Sequence, residues 1–202
     1  MFKKSLFLGY LLFIMLFNVC MAQEQTRPLK VAIMPIATDV SGYKSVKASL
    51  YNTLKQQMRI PLNDTLQIVE YIDTETVYRA MQQSNFTNEQ NLDTLKSTAD
   101  LLNADVIVGY EVPNMFQHYF HFASHLDGAP VISTYISLKL WAYYRPLNQT
   151  VELSTQRNYV GTLNTASLLP ALADDASYYI NKKADLKGLL KQSIQIQKGD
   201  VQ

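Results

Sequence analysis

Residues 104–122, ADVIVGYEVPNMFQHYFHF, constrain this chain more than any other stretch. The even positions Val106, Val108, Tyr110, Val112, Asn114, Phe116, His118, Phe120 and Phe122 keep one face almost wholly apolar or aromatic. The odd positions mix Asp105, Ile107, Gly109, Glu111, Gln117 and His121. Strand side chains alternate between faces, so the pattern predicts one long half-buried strand. Pro113 cannot donate a ladder hydrogen bond, which predicts an edge position or a bulge midway.

The upstream sequence delivers the chain to this strand. Residues 30–36 (KVAIMPI) form a compact apolar strand with Pro35 at its end. Asp39, Ser41 and Gly42 mark the loop that follows. Val46, Leu50, Leu54 and Met58 recur every four residues, the stripe of a helix that stops before Pro61. Residues 66–71 (LQIVEY) predict a second short strand, and Asp73 or Thr74 caps a helix through Val77, Ala80 and Met81. Thr87 and Gln90 have capping-box spacing before a helix that buries Leu92, Leu95, Ala99 and Leu102. Asn103 suits the left-handed turn that ends it.

Downstream, Asp127-Gly128 is a turn signal between two alternating segments. The returning strand sets Ile132, Thr134, Ile136, Leu138, Leu140 and Ala142 against Ser133, Tyr135, Ser137, Lys139, Trp141 and Tyr143. A turn at 146–149 leads to a third strand through Val151, Leu153 and Thr155 toward Val160. Ser167 is positioned to cap a last helix, with Pro170 in its first turn and Leu168, Leu172, Tyr179 and Ile180 on one face. Leu186, Leu189 and Leu190 extend that helix. The expected fold is α/β, mixed α+β: a single mixed sheet of about five strands with an antiparallel meander, packed by about four helices. Residues 23–192 form one domain, and the polar residues 193–202 a flexible tail.

The first 22 residues read as a secretory signal peptide. Lys3 and Lys4 precede an apolar run from Leu6 to Phe17, and Cys20-Met21-Ala22 sets cleavage after Ala22. That run is shorter than the ~20 residues of a spanning helix. Cys20 is a possible lipidation site if processing falls just before it. Without Lys3 and Lys4 the basic residues fall from 18 to 16, against 17 acidic. Such a balance gives no electrostatic case for nucleic acid. Cleavage after Ala22 also removes the sole cysteine, leaving core and sheet to supply all the stability.

Several of these pieces resemble the α/β domain of CsgG-like curli-assembly proteins and the TolB N-terminal domain. They are KVAIMPI at 30–36, LQIVEYIDTETVYRAM at 66–81, LKSTADLLNADVIVGYEV at 95–112 and YISLKLWAYYRPLNQTVEL at 135–153. The resemblance covers about residues 29–182, with Asn103 where the family usually has glycine before Ala-Asp. It implies an exported accessory or binding domain in the periplasm or at the outer-membrane periphery. Pore-forming members carry lipidation and extra membrane hairpins. The turn at 146–149 is too short for one, while 115–135 is the one segment that could be such a hairpin, its outward arm just under the ~9–11 residues a spanning strand needs.

The side chains offer little chemistry. His118, His121 and His125 would share a face only on a helix, and a strand sends His118 and His121 apart, so neither a metal nor another cofactor is expected. There is no G-x-S-x-G elbow, and Asp174-Asp175 are neighbours that point apart on a helix. An enzyme is not expected. Two-sided helix cover would make Tyr135, Trp141 and Tyr143 ordinary core. The functional alternative is an aromatic partner surface of Met115, Phe116, His118, Tyr119, Phe122, Tyr135, Trp141 and Tyr143. The reading is an exported, non-catalytic envelope protein that binds a protein partner or self-assembles, with peripheral membrane association open. The alternative is a lipid-anchored, ring-forming outer-membrane secretion or assembly subunit.

Overall fold

The computed structural model describes residues 27–38, 43–84, 92–120 and 131–199. Its fold is α+β, built on one open mixed sheet. The strands are β1 (Leu29–Ile33), β2 (Ala37–Thr38), β3 (Val69–Tyr71), β4 (Val106–Phe120), β5 (Val131–Tyr144) and β6 (Gln149–Thr162). Their order is β3-β1-β4-β5-β6, with β2 also pairing β4. Strands β1, β2 and β3 make parallel pairs, whereas β4, β5 and β6 form the expected antiparallel meander. The helices are α1 (Lys44–Gln57), α2 (Thr74–Gln83), α3 (Leu92–Leu101), α4 (Leu169–Ala184) and α5 (Leu186–Gln197).

Helices lie on both faces of the sheet. On the inner face Val46, Leu50 and Leu54 of α1 join Leu172, Ala176 and Ile180 of α4 over the even side chains of β5. Ile132, Ile136, Leu138, Leu140 and Ala142 are all fully buried there, as the alternation requires. On the outer face Val77 of α2 and Leu95 and Ala99 of α3 pack over Ala32, Met34, Ile107 and Trp141. Gly109 permits this layer, because a Cβ there would lie 2.5 Å from the Met34 methyl carbon.

The bulge expected at Pro113 is present and does more than interrupt the ladder. Glu111 pairs with Lys139, but Asn114 pairs with Ser137, so Val112 and Pro113 together oppose Leu138. One extra residue exchanges the two faces of every later position. The even face predicted to run through Phe122 therefore ends at Val112. Beyond it Met115 is the buried side chain, and Asn114, Phe116, His118 and Phe120 turn to the outer face.

Local signals held elsewhere with corrections. Asp73 caps α2 by accepting from the Thr76 amide at 2.9 Å, and hydrogen bonds from the Thr76 hydroxyl and amide hold its carboxyl below the usual aspartate range. Asn103 adopts the left-handed conformation. The strand expected over 66–71 starts only at Val69, because Asn63–Leu66 makes one helical turn. The Asn63 amide then pairs with both backbone groups of Val69, substituting for a neighbouring strand. Ser167 does not cap α4; it closes a capping box with Asn164 one turn earlier. Tyr179 is exposed rather than on the buried stripe. Helix α4 does not continue through Leu186, since Asp185 is left-handed and begins α5 by accepting from Gly188 N. The tail expected from 193 onward is helical to Gln197, with Ser193 buried. The signal segment, the 39–42 loop, the Thr87–Gln90 capping box and the Asp127-Gly128 turn lie outside the described residues.

Two buried phenols tie sheet to helices. Tyr110 donates to Asn181 Oδ1 at 2.5 Å, and Tyr144 donates to the Leu186 carbonyl at 3.1 Å. Burial pushes both phenols well above their ordinary value of about 10. Above about pH 10 the unfolded phenols lose protons that the folded ones keep, so their contribution is full below that pH and lost above it. Thermal stability is expected to hold up to about pH 10 and fall beyond it, read by circular dichroism melts. Tyr110→Phe should flatten that alkaline fall and cost about 1–3 kcal/mol at neutral pH, since Asn181 Nδ2 already lacks a partner among the described residues.

Candidate functional site

The outer face of the β4-β5-β6 sheet divides into a covered and an uncovered half. Helices α2 and α3 have ten residues each and reach about 15 Å at 1.5 Å per residue. Strand β4 has 15 residues and spans about 50 Å at roughly 3.3 Å per residue. The helices therefore cover only the half of β4 that begins at Val106.

In the covered half Trp141 is only 7 % exposed. Its indole N–H donates to Glu111 Oε2 at 3.0 Å, and Lys139 Nζ lies 3.7 Å from Glu111 Oε1. The buried Glu111 carboxylate thus has a hydrogen-bond donor and a counter-charge, as burial of a charge demands. Tyr143 is half-buried beneath α3, with Lys96 Nζ 5.5 Å from its ring centre. Two-sided helix cover, one of the two readings of this aromatic row, accounts for both Trp141 and Tyr143.

Beyond the bulge no described helix lies over the outer face, where Phe116 and Tyr135 are half-buried and His118 is exposed. Phe116 stacks on Tyr135 with ring centres 5.4 Å apart and on His118 at 5.1 Å. Phe116 and Tyr135 are directly opposed across β4 and β5. Phe120 is 45 % exposed beside Val131, and Val160 of β6 is 69 % exposed on the same face. None of these side chains belongs to either of the helix-packed core clusters among the described residues.

The structure thus brings together Phe116, His118 and Tyr135 among the eight residues expected to form a partner surface. Met115 points into the core, and Tyr119 is exposed on the inner face. Trp141 and Tyr143 belong to the covered half. Phe122, His121 and His125 lie outside the described residues. Phe120, Val131 and Val160 escaped the pattern reading, although a sequence signal existed. Between Glu111 and Lys139 the one charged residue is Asp127, and from Asn158 to Ala173 there is none. Charge depletion together with aromatic enrichment characterises the cores of protein interfaces. Among the described residues no three histidine, cysteine or acidic side chains are placed to hold a metal. Asp174 and Asp175 do point apart, and both are engaged: Asp174 accepts from Ser49 of α1, and Asp175 pairs with Arg157 of β6.

No protein-family model and no curated protein sequence matches the chain. Solved structures with a similar fold include lipoprotein GNA1162 from Neisseria meningitidis, at 13 % identity over 78 % of this chain and 99 % of that one, with a TM-score of 0.41. A hypothetical protein, CT253, from Chlamydia trachomatis is 12 % identical over 81 % of this chain and 99 % of its own, with a TM-score of 0.43. The LpoB C-terminal domain from Salmonella enterica is 10 % identical over 70 % of this chain and 90 % of its own, with a TM-score of 0.32.

The two halves should respond differently to substitution. Trp141→Phe deletes the donor to a buried carboxylate and is expected to cost about 1–3 kcal/mol. Phe116→Ser removes a half-buried ring from a face that no described helix covers and should cost less than Trp141→Phe, roughly 1 kcal/mol. Urea unfolding curves for both variants check this contrast.

Proposed function

We propose that this is an exported, non-catalytic accessory protein of the bacterial envelope whose uncovered aromatic face binds a protein partner. The observation that carries the reading is the Phe116–Tyr135–His118 stack on a charge-free sheet face that no described helix covers. A soluble domain rarely leaves such a face in water without a use. Phe and Tyr on a rigid sheet are suited to be anchors, because little side-chain freedom is left to lose on binding. The signal-like N-terminus supports an envelope address, and the pieces resembling CsgG-like and TolB N-terminal domains support an accessory role.

The test is a crosslinking pull-down from envelope fractions, with Phe116→Ser/Tyr135→Ser compared against wild type. One reproducible partner held by wild type and lost by the double variant is the expected result. A partner set unchanged by the double variant moves the interface elsewhere.

The second reading, a lipid-anchored, ring-forming assembly subunit, draws on Cys20 and on the charge-depleted stretch between Glu111 and Lys139. Intact mass of the protein recovered from envelopes separates the two. The accessory reading expects a plain N-terminus at Gln23, and a diacylglyceryl adduct on Cys20 would favour the assembly subunit.

A further inference from the structure

The two edges of the sheet are unequal. The β3 edge is three residues long, with the Asn63 side chain filling a partner's place at Val69. The β6 edge is 14 residues long and pairs with no other described strand on its outer side. Its ladder to β5 runs without a shift from Gln149 to Thr162, so no bulge turns the edge away. Strand β6 contains neither proline nor lysine, two of the usual guards against edge pairing. Its charges are Glu152 on the outer face and Arg157 on the inner face, and Arg157 is bound to Asp175 of α4.

We propose that β6 is a self-docking edge, on which two copies of this chain pair antiparallel about a two-fold axis at Thr155. A two-fold axis normal to the sheet keeps inner side chains with inner and outer with outer. In that register Val151 lies opposite Tyr159 of the other copy and Thr155 opposite Thr155, both favourable cross-strand pairs. Glu152 meets Asn158, Ser154 meets Gln156 and Arg157 meets Leu153. In this register Glu152 faces Asn158 and Arg157 faces Leu153, so neither charge meets its own copy, and a second copy of this chain is the occupant that the pattern fits. Beside the edge, Tyr179 of α4 is 46 % exposed and lies 4.7 Å over the Arg157 guanidinium. The two-fold brings Leu153 of the other copy opposite Arg157, on which this ring is stacked. Isologous pairing closes with two copies and removes the long open edge of each. This inference stands apart from the partner-binding reading, since it uses the strand edge and not the aromatic face.

Sedimentation velocity over a concentration series, on the protein purified with its native N-terminus, is the test. Wild type is expected to form dimers. Ser154→Lys with Gln156→Lys opposes lysines across the axis and should weaken self-association about tenfold or more. Ser154→Lys with Gln156→Glu opposes lysine to glutamate in this register and should dimerise like wild type. Both positions are exposed, and unchanged far-ultraviolet circular dichroism confirms folding; Ser154→Glu with Gln156→Glu replaces the double lysine variant if that fails. A monomeric wild type, a closed ring larger than two, or a double lysine variant as tight as wild type overturns the proposal. A lysine–glutamate variant as weak as the double lysine one overturns the Thr155 register. Crosslinks from β6 to a different protein in place of its own copy overturn the choice of occupant.

Discussion

The extra residue at Val112–Pro113 decides what the rest of the sheet can present. Strand β4 is long enough to serve two environments, and a regular strand would carry one set of side chains into the core along its whole length. The bulge divides that task. Before it, Tyr110 and Val112 face the α4 layer; after it, Met115 takes over the core, and Phe116 and His118 turn outward. Proline is compatible with this position because the ladder is already broken there, so its missing N–H leaves no partner unsatisfied. Without the shift, Phe116 and His118 would point at α4, and Met115 would lie on the open face.

Helix length then separates core from surface on the outer side. Trp141 and Phe116 lie on the same face of the same sheet, yet one donates to a buried carboxylate and the other stacks in the open. What distinguishes them is whether α3 reaches that far. The covered half is stabilised by burial and by the Glu111–Trp141–Lys139 contacts, so substitutions there register as lost stability. The uncovered half has little to lose in stability, which leaves its composition free to answer to a partner. Its lack of charge is therefore informative, because solvation alone would favour lysine and glutamate at such positions.

Much of this was legible from residue order. The alternation in β5, the four-residue stripe of α1, the Asp73 cap and the left-handed Asn103 are local signals, and each element formed where its signal lay. Pro113 announced a break but not its consequence, because the direction of a register shift depends on which residue of β5 opposes it. The start of β3 was misplaced because the Asn63 side chain, not a strand, satisfies the Val69 backbone. The end of α4 was misjudged because Asp185 adopts a left-handed conformation that sequence patterns assign chiefly to glycine or asparagine. Half of the candidate surface was visible as an aromatic row, and the division of that row was not, since it depends on how far α2 and α3 extend over the sheet.

The central claim is that Phe116, His118 and Tyr135 form an open face that is covered in the envelope. Hydroxyl-radical footprinting of these residues, with Trp141 as the internal buried reference, tests it most directly when run on purified protein and on intact envelopes. Labelling of Phe116, His118 and Tyr135 is expected in the purified protein, with Trp141 weakly labelled in both samples and the other three protected in envelopes. Equal labelling of Phe116, His118 and Tyr135 in the two samples would contradict it.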